Sequence, residues 1–146
     1  MKVVVDTNIV FSAILNSSSD LAKILINAGK DVEFYSCEFL KEELFQHRAK
    51  LKKLTKLTDE EISDLVGLAT QNIYFINEQL ISMEFRLRAL HLTKDVDVSD
   101  APFVSLSLQL NALLWTGDKK LKTGLSRRGF KDTIEAKSLL KMLMKQ

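Results

Sequence analysis

Two acidic residues follow apolar stretches that are typical of buried strands. Asp6 follows the β-branched run at 2–5, and Asp118 follows the apolar stretch at 112–116. A continuous apolar run of this length predicts a strand covered on both faces, as in a parallel sheet. Sites in such sheets form in the crevice beyond the carboxyl ends of the strands. We therefore expect both carboxylates to face one crevice.

Two further acids, Glu43 and Asp100, are placed to reach the same crevice. Asp100 opens the segment that precedes the strand at 112–116, and Glu43 lies early in a predicted helix. Four converging carboxylates with no basic residue between them cannot all ionise cheaply, and a divalent cation would neutralise them. Oxygen ligands alone favour a hard ion, Mg²⁺ or Mn²⁺, over zinc. The sequence therefore predicts a metal site at this edge of the sheet.

Each acid also has a purely structural interpretation. Asp6 fits a turn that its own side chain stabilises, and Asp100 fits a helix N-cap. Asp118 fits a surface turn, and Glu43 by itself fits a solvated helix face better than a ligand. The joint occurrence of the four acids near strand ends favours the metal site over four separate structural roles.

The elements that must position these acids alternate between strands and helices. Strands are predicted at 2–5, 32–36, 73–76 and 112–116, and helices at 21–28, 39–54, 58–69, 78–90 and 134–144. Thr58 and Glu61 have the spacing of a capping box, which marks the start of the third of these helices. The alternation predicts an α/β, three-layer fold around a mostly parallel central sheet, with residues 1–146 forming a single domain.

The segment at 103–110 fits two structures. Its apolar and polar residues alternate strictly from Val104 to Leu110, which is a strand pattern. Phe103, Leu106 and Leu110 also fit one face of a helix, and Pro102 is typical of a helix start. Local pattern alone leaves both alternatives open.

Composition excludes several classes of protein. The chain has 146 residues, of which 46% are hydrophobic, so it is neither disordered nor too short to form a core. Two histidines and one cysteine, Cys37, exclude a disulfide framework and a Cys/His zinc cluster. The first apolar run is too short for a signal peptide, and no stretch reaches the roughly 18 residues of a membrane span. We therefore expect a cytoplasmic protein with no membrane contact.

Charge is unevenly distributed along the chain. Residues 59–100 sum to −6, whereas residues 119–146 sum to +7. The basic end suggests an anionic partner. The alternative is that Lys137, Lys141 and Lys145 only line the solvated face of a last helix.

Three motifs in order along the chain carry a resemblance to a known family. They are VVVDTNIVFSAIL at 3–15, EFLKEEL at 38–44 and DVSDAPFVSLSLQLNALLWTGDKKL at 97–121. Together they resemble the PIN domain family, in particular the branch with a D-x-x-D-A-P-F turn followed by W-(T/S)-x-D. The resemblance covers nearly the whole chain. It implies a PIN-like, Rossmann-like fold in which residues 100–110 are helical.

The resemblance also implies a set of site residues. The acidic quartet of the family corresponds to the following positions: Asp6, Glu43, Asp100 and Asp118. Glu42, next to Glu43, is an alternative for the second acid. Asn8 matches a polar residue that supports the first aspartate, and Thr116 matches the hydroxyl residue near the fourth acid. Asp97 is either an auxiliary acid or a loop residue, and the second interpretation is slightly favoured.

The activity that the resemblance implies is that of a Mg²⁺- or Mn²⁺-dependent ribonuclease. Asp6, Asp100 and Asp118 would bind metal ions that activate a water and stabilise charge on the attacked phosphate. Glu43 would complete the ligand shell or orient that water. His47 and His91 have no role in this chemistry and are expected to be core or surface residues.

Basic residues close behind the fourth acid suit a phosphodiester substrate. They are Lys119, Lys120, Lys122, Arg127 and Arg128, and they would bind backbone phosphates of RNA with little sequence information. A second basic group at 48–56 is better explained as a solvated helix end. Trp115 is expected in the core, and Cys37 is expected to be a buried small residue.

Several functions compete with that of a solitary nuclease. Single-domain PIN proteins of this size resemble the toxin of VapBC-type toxin–antitoxin pairs, which would imply an antitoxin partner and a homodimer. A non-catalytic RNA- or protein-binding module on the same fold is the main alternative, although retention of all four acids speaks against it. A haloacid-dehalogenase-type phosphatase, with D-x-D-x-T after its first strand, is discounted because Asn8 and Val10 replace the second acid and the threonine.

Overall fold

The fold is described from a computed structural model, which covers residues 1–27 and 29–144. Within these ranges the strands are β1 (Lys2–Val5), β2 (Glu33–Cys37), β3 (Ile73–Ile76), β4 (Leu113–Trp115) and β5 (Thr133–Ile134). The α-helices are α1 (Thr7–Leu15), α2 (Asp20–Ile26), α3 (Phe39–Gln46), α4 (Arg48–Thr55), α5 (Asp59–Thr70), α6 (Met83–Thr93), α7 (Ala101–Leu110), α8 (Lys119–Arg127) and α9 (Ala136–Met144). Glu78–Leu80 and Val98–Asp100 form 3₁₀ turns.

The described strands form one sheet in the order β3-β2-β1-β4-β5, and every pair is parallel. Helices flank the sheet, which confirms the predicted α/β fold class. All four strands predicted from the sequence are present, each within one residue of its predicted bounds. The predicted mostly parallel sheet is therefore confirmed, and the described strands are parallel throughout.

β1 lies at the centre of the sheet, and its sequence explains why. Val3, Val4 and Val5 are all 0% exposed, because β2 and β4 pair with the two edges of the strand and helices cover its faces. A strand covered on both faces has no solvated side for polar residues, which accounts for the continuous apolar run. Val5 pairs in register with Trp115 of β4, so the two strands end at the same level.

The predicted helix at 39–54 is wrong in one respect, because the chain forms two helices there. The break falls at His47, where the backbone leaves the helical region with φ −97° and ψ 11°. The His47 ring contacts the edge of Phe11 on α1, at 6.3 Å between ring centroids. The turn lets α4 pack against α1, with Leu51 buried. This contact is tertiary and leaves no signal in the local periodicity.

The predicted helix at 78–90 is also displaced. A 3₁₀ turn occupies Glu78–Leu80, and α6 begins only at Met83. The backbone at the break finds partners outside the helix: Asn77 Oδ1 accepts from the Gln79 N–H, and the Ser82 N–H donates to Gln109 Oε1 on α7. These hydrogen bonds provide acceptors for backbone N–H groups that a continuous helix would otherwise pair.

The ambiguous segment at 103–110 is helical, in α7, as the family resemblance implied. The serines that produce the alternating pattern are buried, and the surrounding backbone satisfies their hydroxyls. Ser105 donates to the Pro102 carbonyl at 2.8 Å, and Ser107 donates to the Ala112 carbonyl. A buried serine with a local backbone acceptor is compatible with a helix core, so the alternation carried no information about a strand.

Some elements were missing from the prediction or fall outside the described residues. The helices α1 and α8 and the short strand β5 were not predicted. The closing helix was predicted to begin at Ile134, but that residue belongs to β5, and the helix α9 begins at Ala136. The helix α2 ends at Ile26. The predicted roles of Ala28, on the apolar face of that helix, and of Lys145, on the closing helix, concern residues that lie outside the described ranges.

Among the residues that the structure describes, no single helix has both the length and the apolar composition to cross a membrane. In the same residues, α1 and α2 meet both criteria only when they are taken together, and they are bent by 113° relative to each other.

Candidate active site

The sheet order creates a crevice at the carboxyl ends of β1 and β4. From β1 the chain proceeds outward to β2 and β3 on one side, and β4 and β5 lie on the other side. The strand order therefore reverses between β1 and β4, and such switch points are where α/β sheets form ligand sites. Asp6 and Asp118 follow these two strands, as the sequence predicted.

Asp6 is fixed in the crevice by the start of α1. It is only 2% exposed, and its Oδ1 accepts the Ile9 N–H at 3.0 Å as the N-cap of the helix. Its own N–H faces the Trp115 carbonyl at 3.4 Å, across the β1–β4 boundary. The turn interpretation and the ligand interpretation of Asp6 are compatible, because Oδ2 is not used by the cap.

Asp118 has the same arrangement at the end of β4. Its Oδ1 caps α8 by accepting the N–H groups of Lys120 at 2.9 Å and Leu121 at 3.2 Å. The Asp118 N–H donates to the Thr116 hydroxyl at 3.1 Å. The surface-turn alternative is therefore wrong, because a helix begins at this residue. Both strand-end acids cap a helix with one oxygen and leave the other unused by that cap.

Glu43 reaches the site from α3 and is held by a neighbour that was not predicted from the sequence. The Thr7 hydroxyl donates to Glu43 Oε1 at 2.6 Å, across 36 positions of the chain. Glu42, the alternative acid, is exposed. Asn8, predicted to support Asp6, is also exposed, and no described hydrogen bond joins it to Asp6. The only sequence signal for the role of Thr7 is its position next to Asp6 in the D-T-N motif.

Asp100 stands at the end of the second 3₁₀ turn, at the start of α7. Its side chain makes no capping hydrogen bond, so the N-cap interpretation does not account for it. Its pKa is raised to about 7, chiefly by burial and in addition by the nearby carboxylates of Asp97, Asp6, Asp118 and Glu43, in that order of effect. The structure thus brings the predicted acids within electrostatic reach of one another.

Asp6 and Glu43 also have raised pKa values. Burial raises the pKa of Asp6 to about 6, with smaller contributions from Asp118 and Glu43. The Thr116 hydroxyl and the Ile9 N–H oppose that shift by hydrogen bonding. The pKa of Glu43 is also raised, chiefly by burial, although its bond from Thr7 acts in the opposite direction. No salt bridge of the described residues involves any of the four acids.

Asp97, the auxiliary candidate, lies at the rim of this cluster. It is exposed, and its Oδ1 accepts the N–H and hydroxyl of Ser99, which fits a loop residue. It is nevertheless the carboxylate with the largest effect on the pKa of Asp100. Thr116 is buried between Asp6 and Asp118, where its hydroxyl interacts with both residues.

The chemistry of these donors fits a hard divalent cation. All are oxygens that carry like charge, and burial makes the ionisation of Asp6, Glu43 and Asp100 costly, which a cation would offset. Within the described ranges, no three acidic, histidine or cysteine side chains are already clustered as ligands. Cation binding would therefore require side-chain rotation at the site, which the oxygens not used by the helix caps allow.

The predicted phosphate-binding residues line α8 and the turn after it. A groove of about 820 Å³ is lined by four of them and by Asp95 and Val96, whereas Lys122 does not line it. Lys122 forms an ion pair with Glu135, and Arg128 forms one with Asp95 and lies 3.2 Å from the His91 ring. In the described part of the chain, the other three have no ion pair: Lys119, Lys120 and Arg127.

The other residues predicted from the sequence to have structural roles are not members of the acid cluster. Trp115 is 0% exposed and packs against Phe34 at 5.6 Å between ring centroids, and Cys37 is buried. Arg48 and Lys52 both pair with Asp59 at the start of α5, at 3.3 Å and 3.0 Å. These pairs fit the solvated helix end that the second basic group was predicted to form.

Comparison with known proteins agrees with this architecture. The sequence matches the family model described as PIN domain over residues 4–139. A solved structure of VapBC2 from Rickettsia felis, bound to a DNA fragment from the promoter, is similar in fold, with a TM-score of 0.68 and 18% sequence identity. The match covers 92% of this chain and 97% of that one. No curated protein matches the sequence significantly.

Proposed function

The chain belongs to the PIN domain family, and on this premise we propose that it is a metal-dependent endoribonuclease that hydrolyses RNA phosphodiester bonds with Mg²⁺ or Mn²⁺. The observation that carries the proposal is the convergence of Asp6, Glu43, Asp100 and Asp118 at the β1–β4 switch point, where the pKa values of three of them are raised. A nuclease that binds a cation between carboxylates needs this arrangement.

The proposed roles follow from the position of each side chain. Asp6 and Asp118 would hold the cation through the oxygens that their helix caps leave unused, and Asp100, which caps no helix, would hold it through either oxygen. Glu43, oriented by the Thr7 hydroxyl, accepts a hydrogen bond from the attacking water and directs it at the phosphate. When bound, the cation supplies positive charge that offsets the carboxylates and polarises the phosphate oxygens. Asp100 must lose its proton before it can act as a ligand.

RNA binds, in this proposal, along the groove of α8. Lys119 and Lys120 adjoin Asp118, and Arg127 lies at the other end of the helix, so phosphates beside the scissile bond would follow the helix. Contacts of this kind are to the backbone and carry little sequence information. Lys122 and Arg128 join them only when their ion pairs open.

A cleavage assay tests the activity. Single-stranded and structured RNA are incubated with Mn²⁺, Mg²⁺ or EDTA. We expect cleavage with either metal and none with EDTA, and loss of cleavage in Asp6→Asn and Asp100→Asn. Asp64→Asn is the matched control, because Asp64 is an exposed acid on α5. Unchanged cleavage in both site variants would remove the proposal.

The main alternative is a non-catalytic module that binds RNA or protein on the same fold. The absence of a ready-made cluster of three ligands in the described ranges is the observation that favours it. The two functions differ in the cleavage assay, because a binding module would retain RNA on a filter without producing fragments and would not respond to Mn²⁺.

We further propose that this nuclease is the toxin of a VapBC-type pair, with an antitoxin protein as its partner. The proposal is supported by the family and by the fold shared with VapBC2. A small upstream gene for a DNA-binding protein would provide the candidate antitoxin, and co-purification of the two products after co-expression tests the proposal. Purification of this chain alone, together with undiminished growth when it is expressed, would instead favour a solitary RNA-processing nuclease.

A homodimer is proposed through α6. Met83, Leu87 and Leu90 lie on one face of this helix and are 59%, 59% and 47% exposed. An apolar stripe of this kind marks an interaction surface, and a second copy would bury it in an isologous contact. Light scattering after gel filtration should give twice the chain mass, and Leu87→Glu should restore the monomer. The expected cytoplasmic location stays a prediction, and cell fractionation tests it.

A further inference from the structure

A second cleft adjoins the acidic site on the side of β5. It has a volume of about 270 Å³ and shares Ile9, Thr116 and Lys119 with the surroundings of Asp6 and Asp118. Drug-sized ligands occupy pockets of roughly 300–1,000 Å³, so this cleft suits a smaller group. The proposed function makes no use of it.

One residue that lines the cleft carries a buried donor that has no acceptor. Trp115 lines the cleft and is 0% exposed, and its indole Nε1 has no hydrogen-bond partner in the described part of the chain. A buried indole N–H normally finds an acceptor, because leaving one unsatisfied costs free energy. Every such group in a folded protein needs an explanation. One explanation is that a bound ligand supplies the acceptor.

The rim of the cleft is basic, whereas part of its lining is apolar. Lys119, Lys122 and Lys137 surround Glu135, and all three lower the pKa of its carboxyl. Three ammonium groups against one carboxylate leave an excess of positive charge at the opening. An apolar lining beneath a cationic rim matches a nucleotide, whose base is flat and largely apolar at its faces and whose phosphates are anionic.

We infer that this cleft is a base-binding slot, which receives one unpaired nucleotide next to the scissile phosphate and gives the proposed nuclease a sequence preference. The Trp115 indole N–H would donate to an acceptor on the base edge, and Lys137 would contact a flanking phosphate. This inference rests on the proposed function for the meaning of the slot, but nucleotide binding can be measured without it. Entry of the base would displace the flexible side chains of Lys119 and Lys122.

The chain carries its own reporter, because Trp115 is its single tryptophan. Each of the four ribonucleoside 5′-monophosphates is titrated into the protein in EDTA, and Trp115 fluorescence is recorded. We expect saturable quenching that differs in affinity between bases. Ribose 5-phosphate and inorganic phosphate should bind at least about tenfold more weakly, because they cannot occupy the apolar part of the slot.

Variants of Lys137 and Trp115 make the test specific. Lys137→Ala should weaken nucleotide binding about tenfold, as expected for one charge-assisted contact. Lys141→Ala, one turn further along α9 and outside the cleft, should have no effect. Trp115→Phe should weaken binding, measured by calorimetry, while circular dichroism verifies folding. If that variant unfolds, Lys137→Ala still decides.

Three results would overturn the slot: no quenching by any nucleotide, equal affinity for inorganic phosphate and nucleotides, or equal effects of the two lysine variants. The outcome is independent of the nuclease proposal. Nucleotide binding without RNA cleavage would keep the slot and remove the nuclease, whereas cleavage without nucleotide binding would do the reverse.

Discussion

The change from Asp6 to Asn should make the protein more stable while abolishing its proposed activity. Asp6 is 2% exposed, and burial raises its pKa from 3.8 to about 6. Asparagine has almost the same shape, and its Oδ1 can still accept the Ile9 N–H that Asp6 accepts at 3.0 Å. The substitution therefore removes the charge and keeps the helix cap.

The pKa of Asp6 sets the size and the sign of the effect. The folded chain holds the Asp6 proton to higher pH than the unfolded chain does, so ionisation of Asp6 lowers stability. The stabilisation by the protonated group is complete below about pH 4 and is lost as the pH rises through about 6. A shift from 3.8 to about 6 corresponds to about 3 kcal/mol at pH 8 and to about half of that at pH 5.

Urea unfolding in EDTA at the two pH values measures this difference. Asp6→Asn should exceed the wild type in unfolding free energy by up to about 3 kcal/mol at pH 8 and by clearly less at pH 5. Asp64→Asn, on the exposed side of α5, should show neither a gain nor a pH dependence. An Asp6→Asn protein that is no more stable than the wild type at pH 8, or whose gain is the same at both pH values, would refute the reasoning.

Three further predictions test other contacts of the site. Thr7→Val removes the 2.6 Å hydrogen bond to Glu43 and should cost about 1 kcal/mol in thermal unfolding, whereas Thr7→Ser should cost little. Mn²⁺ should bind more tightly at pH 8 than at pH 6, because the cation competes with a proton on Asp100, whose pKa is about 7; equal affinities in calorimetry would contradict this. Gly124→Ala should lower the melting temperature, because the added Cβ would overlap Cγ2 of Val96. Val96→Ala should restore stability in the double variant, and additive losses would disprove the contact.

The positions of the strand-end acids could be predicted because they depend on local pattern and one general rule. A run of three β-branched residues is enough to identify β1 from neighbouring residues alone, and parallel strands end at the same sheet edge. Asp6 follows this run and Asp118 follows the apolar stretch at 112–116, so their proximity was predictable. The capping box of Thr58 and Glu61 is equally local, and the structure confirms it.

The elements that were misplaced from the sequence depend on contacts between distant residues. The helix predicted at 39–54 breaks at His47, whose ring contacts Phe11, and α6 begins after Ser82, whose N–H donates to Gln109. The helix α8 did leave a local signal, with Asp118 as its N-cap and Leu121 and Leu125 at helical spacing. The same stretch also fits the turn and ligand interpretations of Asp118, which do not require a helix.

The sequence by itself determined the acids, their order and the strand ends that carry them, because residue type and short periodicity are properties of neighbouring residues. Only the tertiary structure decided that Thr7 holds Glu43 and that burial gives Asp6 and Asp100 raised pKa values. It also decided that the Trp115 indole N–H has no acceptor among the described residues. These properties depend on which groups surround a side chain and how much water reaches it, and chain packing sets both.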